Sequence, residues 1–408
     1  MVRSRRSHAD REGGGPVTRA AYVCADPGVH VFGRKGAAIH VREVIRAFSE
    51  RGVKVELFAL SLGGDPPDDL AGVPVHAYAD DPIGPLEDRE RACLAANEAL
   101  HGALDRSGPF DLVYERYSMW SFGGMEWARD RRVPGILEVN SPLMEEQAAH
   151  RELHDRAGAD RASRRTFLAA TAIVAVSRDV ARYLERFPEA QGRVHVIPNG
   201  VDPTRFAPDR VPTRPNSGLT FNIGFAGSLK PWHDLPLLLE AFALFRKHHP
   251  DAHLLVIGDG PERQRLEDET VRRGLDAAVT FVGSVAHNEM PGFLTSMDVA
   301  VAPYPADATY FSPLKVYEYM AAGRPIVASR VGQLAELLRD GVDALLVEPD
   351  DSKALATAFE HLYADPELRS RLGSSARSRA LKDFTWDSVV DRILALARLP
   401  SRTPEEFA

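Results

Sequence analysis

From Arg19 onward, short β-rich runs alternate with longer stretches patterned for helix, almost to the end of the chain. Strands joined through helices must cross over to find their neighbours, so the alternation dictates parallel sheets with helices on both faces. Strand candidates in the first half are Ala20 to Ala25, Val53 to Ala59, Val73 to Tyr78, Leu112 to Glu115, Gly135 to Val139, Ala172 to Val176 and Val194 to Ile197. Those in the second are Thr220 to Ala226, His253 to Ile257, Val279 to Val282, Val299 to Ala302, Ile326 to Ala328 and Ala344 to Val347. Between the first two strands, Ala37, Val41, Val44, Ile45 and Phe48 recur at the helical period and Arg51-Gly52 closes the helix, completing one βαβ unit.

A chain of 408 residues exceeds what one core usually serves. Residues 199–218, entered through Pro198, hold Pro203, Pro208, Pro212 and Pro215 and few apolar side chains, as a linker would. The pattern predicts an α/β chain of two Rossmann-like, doubly wound parallel-sheet domains facing a central cleft. Its parts are a disordered tail over 1–18, a first domain over 19–199, a linker over 200–218, a second domain over 219–385 and a terminal helix with its tail over 386–408. That helix has Val389, Val390, Ile393, Leu394 and Leu396 on one face. Ligands of open α/β sheets bind outside the carboxyl ends of the strands, so the strand-to-helix loops facing the cleft are where chemistry belongs.

Composition narrows the function classes. Lys plus Arg total 50 against 58 for Asp plus Glu, without the positive excess of nucleic-acid binders. The two cysteines, Cys24 and Cys93, form no disulfide framework and point to a reducing compartment. The basic start, Arg3 to Arg11, is followed by no apolar h-region, and no run of eighteen apolar residues occurs, so neither a signal peptide nor a membrane span is expected. The expected locale is the cytoplasm, with peripheral membrane association left open. Arg161, Arg164 and Arg165 suit an anionic partner or, with acidic residues nearby, a solvated face.

The most informative run is residues 310–328, Tyr310 to Ala328. Ser312 is placed to cap a helix with Pro313 at its first position, where proline forfeits no helical bond. Such an N-terminus presents free N–H groups and the positive dipole end, to which Lys315 adds a mobile charge suited to a phosphate. Glu318 follows one turn on, where a carboxylate accepts bonds from vicinal ribose hydroxyls. A capped surface helix with a solvated Lys–Glu pair fits the same spacing.

Ser312 to Ala328 resembles the donor-binding segment of family 4 glycosyltransferases of GT-B fold. Phe225-Ala226-Gly227-Ser228-Leu229-Lys230-Pro231-Trp232-His233 is similar to the phosphate loop of that family, Val256 to Pro261 to its Gly-x-Gly-Pro turn, and Val196 to Asp202 to its interdomain junction. Tyr114 to Ser118 and Glu138 to Leu143 are similar to first-domain segments of bacterial members. As an ordered set these cover Arg19 to Leu399. The resemblance implies a retaining transferase of the hexosyl type that moves a sugar from a nucleotide-diphosphate sugar, its co-substrate, to an acceptor, with no obligatory metal. It implies a donor site of Gly227, Ser228, His233, Gly258, Gly260, Tyr310, Ser312, Pro313, Leu314 and Glu318, with Lys230 and Lys315 stabilising the leaving diphosphate. Two departures stand out. The first carboxylate of the family's Glu-x7-Glu falls on Tyr310, and its Gly-Arg loop with a following Lys reads Gly227-Ser228 and His233, leaving Lys230, assisted by His233, to supply the cation.

In the first domain, the loop Asp26 to Gly36 follows the first strand and opens a helix, so Gly33 and Gly36 can close over a diphosphate with Arg34 and Lys35 nearby. A solvated loop fits its glycine spacing equally. It lacks the Gly-x-Gly-x-x-Gly fingerprint of a nicotinamide site. At the end of the fifth strand Asn140 is a candidate to hold a hydroxyl and Glu138 to accept a proton, against an Asx turn at Asn140-Ser141-Pro142. His154 reads as a surface residue, and His40 either faces the cleft or packs. Alternatives to the transferase are a nucleotide-sugar epimerase or hydrolase of the same fold and a non-catalytic nucleotide-sugar binder.

Overall fold

The computed structural model describes residues 18–150, 152–214, 221–308 and 313–399, with the side chains of 148–150 left aside. The expected N-terminal tail, part of the linker and the last residues lie outside these. All thirteen expected strands form. β1 (Arg19–Cys24), β2 (Lys54–Ala59), β3 (Val75–Ala77), β4 (Leu112–Arg116), β5 (Gly135–Val139), β6 (Ala172–Ala175) and β7 (Val194–Val196) make a parallel sheet ordered β3-β2-β1-β4-β5-β6-β7. β8 (Asn222–Ala226), β9 (His253–Ile257), β10 (Val279–Gly283), β11 (Val299–Ala302), β12 (Ile326–Ser329) and β13 (Leu345–Val347) make a second, ordered β10-β9-β8-β11-β12-β13.

The strands read as continuous apolar runs because both faces are covered. Ala20, Tyr22 and Cys24 of β1 enter one core with the helices Gly36–Glu50 and Trp386–Leu396, while Ala21 and Val23 enter the opposite core with the helices Leu86–Ser107 and Gly123–Arg131. β3 is shorter than expected. Pro74 has no N–H to give, and the Val73 N–H turns back to the Leu70 carbonyl at 2.9 Å.

Strand order reverses at β1/β4 and at β8/β11, so the loops after these four strands flank the two crevices. The chain crosses between sheets twice, side by side: Val201 N donates to Phe384 O at 2.9 Å and Trp386 N to Val201 O at 3.3 Å. Gly200 is required there, since a Cβ would lie 2.7 Å from Trp386 N. Across the cleft, Gln333 Nε2 donates to Val176 O at 2.8 Å, and a Cβ on Gly36 would meet Leu314 Cδ1 at 3.9 Å. No helix among the described residues is long and apolar enough to cross a membrane.

Candidate active site

The loop leaving β8 and the helix following β11 meet at the crevice of the second sheet. That helix spans Leu314–Ala321 with Pro313 as its N-terminal flanking residue, one position later than the sequence predicts; Tyr310 and Ser312 lie outside the described residues. The Tyr319 hydroxyl accepts from Ala226 N at 2.7 Å, fixing the helix to the end of β8 and Lys315 over the loop.

Among the described residues Lys315 Nζ is buried without a hydrogen-bond partner, 4.1 Å from the centre of the Phe225 ring and 5.4 Å from that of Tyr304. Burial pushes its pKa well below the ordinary lysine value, and Glu318 opposes the shift. Ring faces attract an ammonium but do not replace a hydrogen-bonded counter-ion. Around Nζ the glycines are sterically required. Gly227 has φ +152 and a Cβ there would lie 2.7 Å from Nζ; Gly258 has φ +125 and its Cβ would strike Gly227 O at 1.9 Å; that of Gly260 would reach Leu229 O at 2.4 Å. The loop pair is held by Gly227 N to Ile257 O at 2.9 Å and Leu229 N to Asp259 O at 3.0 Å.

One expectation about this loop changes. His233 is not a cation. It is buried, its Nδ1 donates to the Ser228 carbonyl at 2.6 Å, and burial followed by Lys315 pushes its pKa well below the usual value, so it is a neutral brace of the loop. Lys230 is half-buried with Nζ 4.6 Å from the Trp232 ring centre, and Ser228 is exposed. Glu318 is half-buried, and its carboxyl is pushed up to about 8 by burial and then by Glu43, with Arg205 and Lys315 acting the other way.

In the first domain, Gly33 is locked in a turn, its N–H on His30 O at 2.8 Å and its carbonyl accepting from Arg42 Nη1 at 2.9 Å. Gly36 begins the first helix against Leu314, while Arg34 and Lys35 are exposed. Glu138 and Asn140 come together, with Asn140 Nδ2 donating to Glu138 Oε2 at 3.0 Å. His40 packs rather than facing the cleft: its Nε2 lies 3.2 Å from Glu138 Oε1, Arg116 Nη1 is 3.2 Å from its Nδ1, and Trp386 meets its ring edge-on. Burial would raise the Glu138 pKa, yet His40, Arg116 and Asn140 hold it down at about 2. So weak a base is suited to orienting Asn140 and Arg116 and is a poor proton acceptor. The Arg161, Arg164 and Arg165 face is neutralised by Asp155, Asp160, Glu189 and Glu126. The sequence reading missed Phe225 and Tyr304 as walls around Lys315; aromatic residues at strand ends flanking a lone lysine were the available signal.

Residues 220–365 match the family described as glycosyl transferases group 1, and residues 34–205 match Glycosyltransferase Family 4. The chain is 30% identical over 390 residues to the D-inositol 3-phosphate glycosyltransferase of Geodermatophilus obscurus, covering 88% of this chain and 84% of that one. Among solved structures it is similar to sucrose-phosphate synthase from Thermosynechococcus elongatus, with a TM-score of 0.71 at 22% identity over 93% of this chain and 98% of that one. It is also similar to Anabaena Alr3699/HepE in complex with UDP-glucose, with a TM-score of 0.68 at 20% identity over 93% and 100%.

Proposed function

The chain belongs to the family 4 glycosyltransferases of GT-B fold and takes its sugar from a nucleotide donor, and we propose that it transfers that sugar to an acceptor nucleophile with retention of anomeric configuration. The observation that supports this most is the buried Lys315 Nζ, without a hydrogen-bond partner among the described residues and set against Gly227 at the β8/β11 crevice. A leaving nucleoside diphosphate gains negative charge as the bond from C1 to its oxygen breaks. Lys315 and Lys230 stabilise that charge without a resident metal. The acceptor hydroxyl approaches C1 from the face the diphosphate leaves, forms the new C1–O bond and passes its proton to a diphosphate oxygen. Glu318 holds the ribose one helical turn from Lys315, and Asn140, oriented by Glu138, holds a hydroxyl from the first domain.

The test is incubation with UDP-, GDP- and ADP-sugars and a set of acceptors, read by mass spectrometry, with D-inositol 3-phosphate tried first on the strength of the relative's name. Acceptor-dependent product, unaffected by a metal chelator, is expected. Altered or free sugar formed at the same rate without any acceptor would point instead to an epimerase or hydrolase.

A further inference from the structure

The two strands that flank the second-domain crevice part before they reach it. β8 and β11 pair Ile223 with Val299 and Gly224 with Ala300, and no further. Beyond that point Phe225 is held on the β9 side, opposite Val256, while Tyr304 is held on the β12 side by its N–H, which donates to Ser329 Oγ at 2.9 Å. These are the two rings that wall Lys315, at 4.1 and 5.4 Å from Nζ. The imidazole of His233 bridges them. It meets Phe225 edge-on at 5.5 Å and Tyr304 edge-on at 5.3 Å, and all three side chains are buried. His233 closes the single turn Pro231–His233; its N–H donates to Lys230 O at 3.0 Å and its Nδ1 to Ser228 O at 2.6 Å, so ring and loop are fixed to one another.

We propose that His233 is a positioning residue for Lys315: where the strand ladder has ended, its imidazole holds the Phe225 and Tyr304 rings at the spacing that sets Nζ against Gly227. This rests on the leaving-group role given to Lys315 above. Ser228 and His233 are the two positions at which the family resemblance expects cations, and here they are tied to each other by the bond from Nδ1 to the Ser228 carbonyl. A carbonyl only accepts, so Nδ1 carries the proton and Nε2 is the lone-pair nitrogen of the neutral ring. Burial, and then Lys315, keep the ring neutral. A lysine at this position would bring a second ammonium to the walls that Lys315 already occupies, and it would have no ring to set between them. The requirement at residue 233 is therefore an aromatic shape, and the charge is left to Lys315 with Lys230.

The test is steady-state transfer, with the donor and acceptor found by the screen above, on the wild type, His233→Asn, His233→Phe, His233→Lys, Lys315→Ala and the double variant His233→Asn/Lys315→Ala. Circular dichroism checks the fold. Asparagine can still donate to Ser228 O but has no ring; phenylalanine keeps the ring and loses the donor. His233→Asn is expected to lower kcat by roughly 10–10²-fold and to move donor KM less, since a misplacement of ~1 Å costs about 10²-fold. His233→Phe stays nearer to the wild type than to His233→Asn. His233→Lys falls at least as far as His233→Asn, although it restores the residue expected from the family, and the double variant turns over no more slowly than Lys315→Ala. Should His233→Asn not fold, the other two decide, and His233→Lys turning over as fast as His233→Phe overturns the proposal. Losses that multiply in the double variant, or a raised donor KM with unmoved kcat in His233→Phe, overturn the positioning role alone. Near-normal turnover in Lys315→Ala overturns the leaving-group role itself.

Discussion

Gly227→Ala probes the link between loop geometry and charge placement. The added Cβ lies 2.7 Å from Lys315 Nζ, 3.0 Å from its Cε and 3.2 Å from Phe225 Cζ, on a backbone with φ +152. Two costs follow. The positive φ strains an L side chain by about 1–3 kcal/mol, which appears as lost stability. The ammonium, the free end of a flexible chain, must retreat by about 0.7 Å to reach ordinary contact. Misplacing a catalytic group by ~1 Å costs about 10²-fold in turnover, close to the roughly 10²–10³-fold expected from removing the charge altogether. The assay is steady-state transfer below the unfolding range, with thermal unfolding run in parallel, for Gly227→Ala, Lys315→Ala and the double variant. If Gly227→Ala acts through Lys315, the double variant turns over no more slowly than Lys315→Ala by itself. Multiplicative losses in the double variant, or near-normal turnover in Gly227→Ala, would refute the reasoning.

The remaining predictions concern charge, stability and motion. Lys230→Ala should depress turnover more than donor affinity with the fold intact by circular dichroism; an affinity loss with unchanged kcat would place Lys230 in ground-state binding. Glu115, fully buried, accepts from Ser121 Oγ at 2.5 Å, and burial pushes its pKa up from 4.5 to about 7. Its folded pKa lies above the unfolded one, so the stability it confers is complete below about pH 4.5 and is lost as pH rises to about 7. Glu115→Gln should therefore be more stable than wild type at pH 8, by about 3 kcal/mol at most, and nearly equal at pH 4, as read by urea denaturation. Saturating nucleoside diphosphate should compact the chain about the paired crossings at Val201 and Trp386; identical small-angle scattering profiles with and without nucleotide would contradict this.

Legibility in the sequence followed the range of the forces involved. The thirteen strands could be read because a strand covered on both faces is an apolar run, as β11 is throughout and β1 is from Ala20 on. Gly227, Gly258 and Lys315 could be picked out through the resemblance to the family's ordered motifs, and the structure sets Gly227 against both Lys315 and Gly258. The helix start at Leu314 was placed one residue early because Pro313 fits either side of that boundary. Glu43 could not be read: its helix shows a clear apolar stripe, and a carboxylate beside that stripe looks solvated until Arg205, 162 residues on, is folded against it. His40 and Glu138 illustrate the same limit. Their mutual burial, with Trp386 from the last helix closing over His40, depends on a contact between the two ends of the chain. His233 was expected to assist Lys230 as a cation, whereas its burial, and then Lys315, keep the ring neutral, which only the folded loop reveals.

The central claim is retaining transfer from a nucleotide sugar to an acceptor, and proton NMR of the reaction as it proceeds tests it most directly. With an α-linked donor, the first-formed glycoside should show the small anomeric coupling of an α product and should accumulate only when acceptor is present. A product that first appears with the large β coupling, or donor consumed at the same rate to free sugar without acceptor, would contradict the account.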